Sequence, residues 1–320
     1  MANFLMGLEL EFGVGTGKDP TKIMNEANGL VQSGFRRVSL EPQAEGEYPI
    51  FEISSHPHDN PKDIIEDMWF CYKSLKTVTE QARFYFNPWL FRLSPNEDLH
   101  PWAYASQRQL LMHQAFKREV GESWVKILKM AMLCSTQVTI GVDPMSNRGI
   151  LVMNVLNNLG PSIAEYWANV AKVDNSGRMI SWTEFSDPRR CPWNYRFKSP
   201  ADLVKTFESI PATLVGNDKK DDTWRLADLG TFQSVKRPSD EGVTFWLARP
   251  RFQWKAIEFR PVGSMDPPYV ADFISFMFQI VQIILDSQNE DEAILRINRE
   301  YPRLPSMWVP DAEWKKLLSK

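Results

Sequence analysis

The sequence predicts an α+β protein built on an antiparallel sheet. Three short runs, Leu8–Phe12, Ser135–Gly141 and Trp254–Arg260, alternate apolar and polar residues with period 2, the mark of strands with one packed and one wet face. Longer runs of helical periodicity lie among them in irregular order, without the regular beat of βαβ units. A hydrophobic fraction of 43% with 12% aromatics supplies the apolar surface for a large core and rules out global disorder.

Each element has its own signal. Leu8-Glu9-Leu10-Glu11-Phe12 places Glu9 and Glu11 on one strand face. Pro20–Ser33 reads as a helix. Phe51-Glu52-Ile53 follows a turn-rich stretch and reads as a strand, and Pro61–Tyr85 as a long helix with Asn60 as its N-cap. Residues 105–131 form a second helical region, Ser135–Gly141 a strand, and Gly149–Val170 a helix. Trp254–Arg260 is a strand carrying Glu258 and Arg260 on one face. The longest apolar stretch, Tyr269–Leu285, is interrupted by Asp272 and Gln279 and is shorter than the ~20 residues of a membrane span, so it is expected to be a buried helix. Asn217–Asp222 is charged and turn-prone and reads as a solvent loop. With no repeat and no Gly/Ser linker, a single domain over residues 1–320 is expected.

Charge and cysteine content exclude further classes. Lys and Arg number 37 against 40 Asp and Glu, a net charge of −3, which argues against a duplex nucleic-acid binder. Cys71, Cys134 and Cys191 are too few and too far apart for a disulfide framework or a CxxC metal pair. Met1–Met6 lacks the charged and apolar regions of a signal peptide, so a cytoplasmic location without membrane attachment is expected.

The chemistry resides in carboxylates on wet strand faces: Glu9, Glu11, Glu52 and Glu258, with Glu41, Glu45 and Glu47 in the loop before Glu52. Such groups on one sheet face repel one another unless a cation neutralises them, and oxygen donors suit a hard divalent ion such as Mg²⁺. The opposing reading is that acids on amphipathic strands merely face solvent. Arg178, Arg189, Arg190 and Arg260 are the counterweights, because guanidinium groups suit carboxylate or phosphate oxygens. Acids for metal and arginines for phosphate point to phosphoryl chemistry on a nucleotide. Two other motifs fail. Gly13–Asp19 has Phe12 and Asp19 where a phosphate loop needs Gly and Ser/Thr, and reads as a hairpin or loop after the first strand. His56-Pro57-His58-Asp59 has only His100 and His113 as further histidines, neither at zinc-ligand spacing, and nothing resembles a nucleophile elbow.

Five segments, in order, resemble the glutamate–cysteine ligase family in its plant-type branch. Gly7-Leu8-Glu9-Leu10-Glu11-Phe12-Gly13 resembles the opening strand whose paired glutamates bind Mg²⁺. Ser39-Leu40-Glu41-Pro42 with Phe51-Glu52-Ile53-Ser54-Ser55 is similar to the Leu-Glu-Pro and Phe-Glu-Leu-Ser segment, with extra residues between the two glutamates. Cys134–Thr139 resembles the strand reading Val-Gln-Val-Asn, Asn175–Arg189 the arginine segment with its Trp-Thr-Asp continuation, and Ala256–Arg260 the C-terminal Glu-x-Arg strand.

The resemblance implies a glutamine synthetase-like fold, a curved antiparallel sheet forming an open funnel backed by helices. It implies an ATP-dependent ligase, with Mg²⁺ or Mn²⁺, that activates the side-chain carboxylate of glutamate as an acyl phosphate and joins it to an amine, most simply cysteine, in glutathione biosynthesis. Glu9, Glu11, Glu52, Gln137 and Glu258 would hold metal, with Glu41 the first choice for a further acidic ligand and Glu45 and Glu47 competing with it. Arg260, with either Arg178 or Arg189, would act on the transferring phosphoryl group or fix the acidic substrate's carboxylate, and Arg178, Arg189, Arg190, Arg260 and Thr139 would bind the nucleotide. The partners implied are small amino-acid substrates, with the chain a monomer or homodimer. Thr139 stands where plant-type members have Asn, and Gln43–Tyr48 replaces their glycine-rich loop, so the acceptor amine is open. A non-catalytic nucleotide-binding relative and a metal-dependent hydrolase are the alternatives.

Overall fold

The computed structural model describes residues 4–31, 36–40, 49–80, 82–86, 134–173, 196–208, 215–218, 223–226 and 247–304. The expected helix at 105–131, the acidic residues Glu41, Glu45 and Glu47, and Arg178, Arg189 and Arg190 lie outside them.

The strands are β1 (Met6–Gly15), β2 (Arg37–Leu40), β3 (Ile50–Ser54), β4 (Arg83–Tyr85), β5 (Ser135–Ile140), β6 (Val215–Asp218), β7 (Thr223–Leu226), β8 (Ala248–Arg251) and β9 (Ala256–Gly263). The helices are α1 (Pro20–Val31), α2 (Pro61–Thr79), α3 (Asn147–Ala171), α4 (Pro200–Glu208), α5 (Pro267–Leu285) and α6 (Glu290–Glu300). The main sheet is open and antiparallel, in the order β2-β3-β1-β5-β9-β8, with β4 pairing the end of β1 beyond β5. An α+β architecture is therefore observed. The strands β6 and β7 form a separate two-stranded antiparallel sheet, so Asn217 and Asp218, expected in a loop, lie in a strand.

The period of β1 explains the layering. Met6, Leu8, Leu10, Phe12 and Val14 are fully buried and point to one side, as do Phe51, Ile53, Val138, Ile140, Ile257 and Phe259 from neighbouring strands. The apolar stripes of α1, α2, α3 and α5 join the same hydrophobic cluster. Each such large side chain contributes roughly 1.5–3 kcal/mol on burial. Helix α5 is long and apolar enough to cross a membrane, yet Phe273, Met277, Ile280 and Ile284 are buried in this cluster, in keeping with a core helix. Helix α3 lies close to the β8–β9 end: a Cβ on Gly160 would meet Leu247 Cδ1 at 2.8 Å and Leu247 Cβ at 3.2 Å, so a larger residue there would need Leu247 to shift.

Several boundaries differ from expectation. The helix expected to reach Tyr85 stops at Thr79, because Glu80 takes a positive φ of 54° and Arg83–Tyr85 pair with Gly13–Gly15. Strand β1 runs through Gly13-Val14-Gly15, so the first part of the segment read as a loop is sheet. The strand expected from Trp254 begins at Ala256, after a 3₁₀ turn over Phe252–Trp254 and a left-handed Lys255. Strands β2 and β8 and helices α4 and α6 were not anticipated by the periodicity. Pro250 in β8 obscures a strand signal, and proline is tolerated there because β8 is a sheet edge.

Candidate functional site

Since opposite residues in paired strands share a face, the registers can be followed across the sheet on its non-core side. Ser39 lies opposite Glu52, and Glu52 opposite Glu11. A second row runs Arg37, Ser54, Glu9, Gln137. A third runs Gly7, Thr139, Glu258, Arg249. Alternation adds Arg251 and Arg260 to the same face. The fold thus brings Glu9, Glu11, Glu52, Gln137, Thr139, Glu258 and Arg260 onto one surface, with carboxylates over its middle strands and three arginines at the β8–β9 end.

The carboxylates are held in different ways. Glu11 accepts from the Ser135 N–H at 2.7 Å, the Ser135 hydroxyl at 2.6 Å and Gln137 Nε2 at 3.0 Å. Glu52, 8% exposed, accepts from the Ser39 and Ser54 hydroxyls at 3.1 and 2.9 Å. Glu258, 1% exposed, is bonded by Arg249 Nε through its Oε2, and Arg251 Nη1 stands 3.7 Å from its Oε1. Burial would raise the Glu258 pKa, but Arg249, Arg260 and Arg251 together outweigh that and hold it well below the usual carboxylate range. Glu9 goes the other way. Burial, reinforced by the charges of Glu258 and Glu11, pushes it up to about 7, against the opposing pull of Arg251 and Arg249.

A carboxylate raised by burial and by neighbouring carboxylates is one whose charge a divalent cation would stabilise, and the donors here are all oxygen, the set preferred by Mg²⁺. In that respect the residues fit such an ion. Among the described residues no three acidic, histidine or cysteine side chains stand together as a metal cage, because Glu11 is turned onto Ser135 and Gln137 and Glu258 onto Arg249. Gln137 itself directs its amide nitrogen to Glu11 and Ser135, which leaves its carbonyl oxygen as the group for a cation.

Sequence reasoning missed Arg249 and Arg251, which both reach Glu258. Their signal was the alternation in Ala248-Arg249-Pro250-Arg251. It also missed Ser39, Ser54 and Ser135, whose hydroxyls settle the acids. Arg251 lies over the exposed Trp254 ring, 4.1 Å from its centroid, forming an aromatic-backed edge to the site.

The His56–Asp59 segment has a structural role. Asp67 of α2 binds His58 Nε2 at 2.8 Å, the His56 N–H at 3.0 Å and Arg36 Nη1 at 3.1 Å, while the His58 backbone pairs with Met6. This clamp ties the start of β1 to α2. A cleft of about 970 Å³, lined by residues including Asn60, Gln279, Arg296 and Arg299, lies among the helices, apart from the carboxylates.

No protein-family model matches the chain, and no curated protein matches it. Among solved structures, the chain is similar to a bifunctional glutathione synthetase from Pasteurella multocida, with a TM-score of 0.50 and 10% identity. The match covers 99% of this chain and 47% of that one, so the chain spans about half the length of that structure. At this identity the likeness is one of fold.

Proposed function

We propose that the chain is an ATP-dependent carboxylate–amine ligase that activates the side-chain carboxylate of glutamate, or of a related acid, and joins it to an amine through a C–N bond. The observation that carries this reading is the division of one sheet face into a carboxylate region around Glu9, Glu11 and Glu52 and an arginine region around Glu258. Two further lines support it: the segments that resemble glutamate–cysteine ligases, and the fold likeness to a bifunctional glutathione synthetase. Glutathione contains the γ-glutamyl–cysteine bond that a glutamate–cysteine ligase makes. A glutamine synthetase-like funnel and a single catalytic domain belong to this reading.

The reaction needs two displacements. The substrate carboxylate oxygen attacks the γ-phosphorus of ATP, and ADP leaves, giving an acyl phosphate. The amine nitrogen then attacks the acyl carbon, loses a proton, and inorganic phosphate departs. Glu9, Glu11, Glu52 and Glu258, with Gln137 and Glu41 as further oxygen donors, would hold Mg²⁺ or Mn²⁺, which would supply positive charge to the triphosphate. Arg260, with Arg249 and Arg251 beside it, supplies fixed positive charge where charge spreads over the phosphoryl oxygens. Arg178, Arg189 and Arg190 retain the nucleotide- and substrate-binding roles that the resemblance implies.

Cysteine is the simplest acceptor, and another amine stays open because Thr139, opposite Glu258 on the adjacent strand, replaces the asparagine of the plant-type pattern. Incubating the chain with ATP, Mg²⁺, glutamate and a panel of amines, with mass-spectrometric detection, tests the reading. A condensed product and ADP release dependent on both acid and amine are expected. Absence of nucleotide turnover with every pair would overturn it.

A further inference from the structure

We propose that the buried Arg249–Glu258 pair is a latch across the site, opened when Glu258 exchanges Arg249 for a divalent cation and Arg249 exchanges Glu258 for the oxygens of a polyphosphate. The proposal rests on the ligase reading for the identity of the two ligands, but its physical basis is the pair itself.

The side chains of Arg249 and Glu258 are 9% and 2% exposed, and their contact lies between strands β8 and β9 in direct register. Arg249 Nε occupies Glu258 Oε2, and Arg251 Nη1 faces Oε1 at 3.7 Å, so both oxygens of this carboxylate meet guanidinium. A divalent cation that takes Glu258 Oε2 competes with Arg249 for it, because the two positive charges repel in a site with little water to screen them. Conversely, an anion that draws Arg249 away leaves Glu258 buried with only Arg251 and Arg260 beside it. Each ligand by itself works against the pair. Together each supplies the charge that the other displaces, so binding of one favours the other, and by linkage the coupling is reciprocal.

The backbone on either side of Arg249 is held by contacts that do not involve the pair. Asn157 of α3 donates to the Ala248 carbonyl at 3.2 Å and accepts from the Ala248 N–H at 2.8 Å, fixing the edge strand one residue before Arg249. Pro250 follows immediately and limits the backbone on the other side. Arg251 packs over Trp254 at the rim.

The latch predicts tighter binding in two variants, each probed with a different single ligand. Arg249→Met clears the guanidinium from Glu258 Oε2 while Arg251 and Arg260 stay, so Mn²⁺ alone, followed by its electron paramagnetic resonance signal, binds about tenfold tighter than to the wild-type chain. Glu258→Gln removes the carboxylate that competes with an anion for Arg249, so tripolyphosphate in chelator, followed by calorimetry, binds about tenfold tighter. A merely structural Arg249 gives unchanged or weaker Mn²⁺ binding in Arg249→Met, and either result overturns the latch. If thermal unfolding shows that Arg249→Met does not fold, Arg249→Lys carries the comparison. It keeps the charge but loses the guanidinium geometry, and tightens Mn²⁺ binding about threefold; no tightening there also overturns the proposal. Turnover of ATP by the same wild-type preparation separates the two readings. Turnover without either shift removes the latch and leaves the ligase, whereas both shifts without turnover remove the ligase and leave the latch.

Discussion

Glu9 and Glu258 lie on the same sheet face, one strand apart across β5, yet the fold drives them in opposite directions. Glu258 is the more deeply buried and stays ionised; Glu9 is half-buried and holds a proton up to about pH 7. Burial alone would order them the other way. The difference is the company: Glu258 has three guanidinium groups around it, whereas Glu9 lies between Glu258 and Glu11 and, among the described residues, receives no side-chain or backbone hydrogen bond on its carboxylate. On this face, partners decide the charge state and burial sets how much each partner matters.

The largest test removes the carboxylate at the arginine end. Glu258→Gln is expected to lower ligase turnover at least about 10³-fold, the equivalent of ~4 kcal/mol of transition-state stabilisation. It also leaves Arg249 buried beside a neutral amide, at a cost of roughly 3–5 kcal/mol of fold stability. Amine-dependent ADP release and thermal unfolding measure the two effects. An unchanged melting temperature would show that the pair does not hold this end of the sheet.

A smaller effect follows from cutting the arginine end loose from behind. Asn157→Leu deletes both side-chain bonds to the Ala248 backbone and is expected to cost about 2 kcal/mol, since the edge strand's buried N–H and carbonyl lose their partner. Amide exchange at Ala248 and Arg249 should quicken while exchange along the β1–β3 pairing stays slow. Equal quickening in both halves would mean that the two regions are one unit and the comparison with Glu9 fails.

Glu9→Gln reads the other half through pH. The folded pKa of about 7 lies above the ordinary ~4.3 of an unfolded glutamate, so the folded chain holds the proton longer. Stability from this group is full below the unfolded value and is lost as pH rises through about 7. The variant lacks that slope. It should melt with the wild-type chain near pH 4.5, and at least about 2 °C above it at pH 8. A lower melting temperature at pH 8 would reverse the assigned sign.

The contrast also explains what was legible in the sequence. Strand alternation around Glu9, Glu11 and Glu258 was readable because period 2 is local, and the apolar stripes of α2, α3 and α5 were readable for the same reason. The opposition of Glu52 to Glu11, and of Glu258 to Thr139 and Arg249, depends on register between strands brought together by the fold, which no local pattern encodes. Arg249 was hidden by Pro250, whose strand position is acceptable only at a sheet edge, a fact of topology. The end of α2 was missed because Glu80 takes a positive φ without the glycine that usually marks one. The serines holding Glu11 and Glu52 looked like ordinary polar alternation until the pairing placed each hydroxyl beside an acid.

The smallest expected effect isolates burial from charge. Lys18 Nζ and Glu80 Oε1 stand 2.9 Å apart, a normal ion-pair distance, but their side chains are 49% and 72% exposed. Water and salt screen that attraction, and holding two long side chains together costs rotamer freedom, so the pair contributes little. Lys18→Ala should shift the melting temperature by less than about 1 °C in low salt, and the difference should vanish near 1 M salt as screening shortens to about 3 Å. The Glu258→Gln loss should persist at that salt, because water and ions do not reach between Arg249 and Glu258. If both losses fell together with added salt, the Glu258 pair would be open to solvent, and both its depressed pKa and the latch built on it would need another cause.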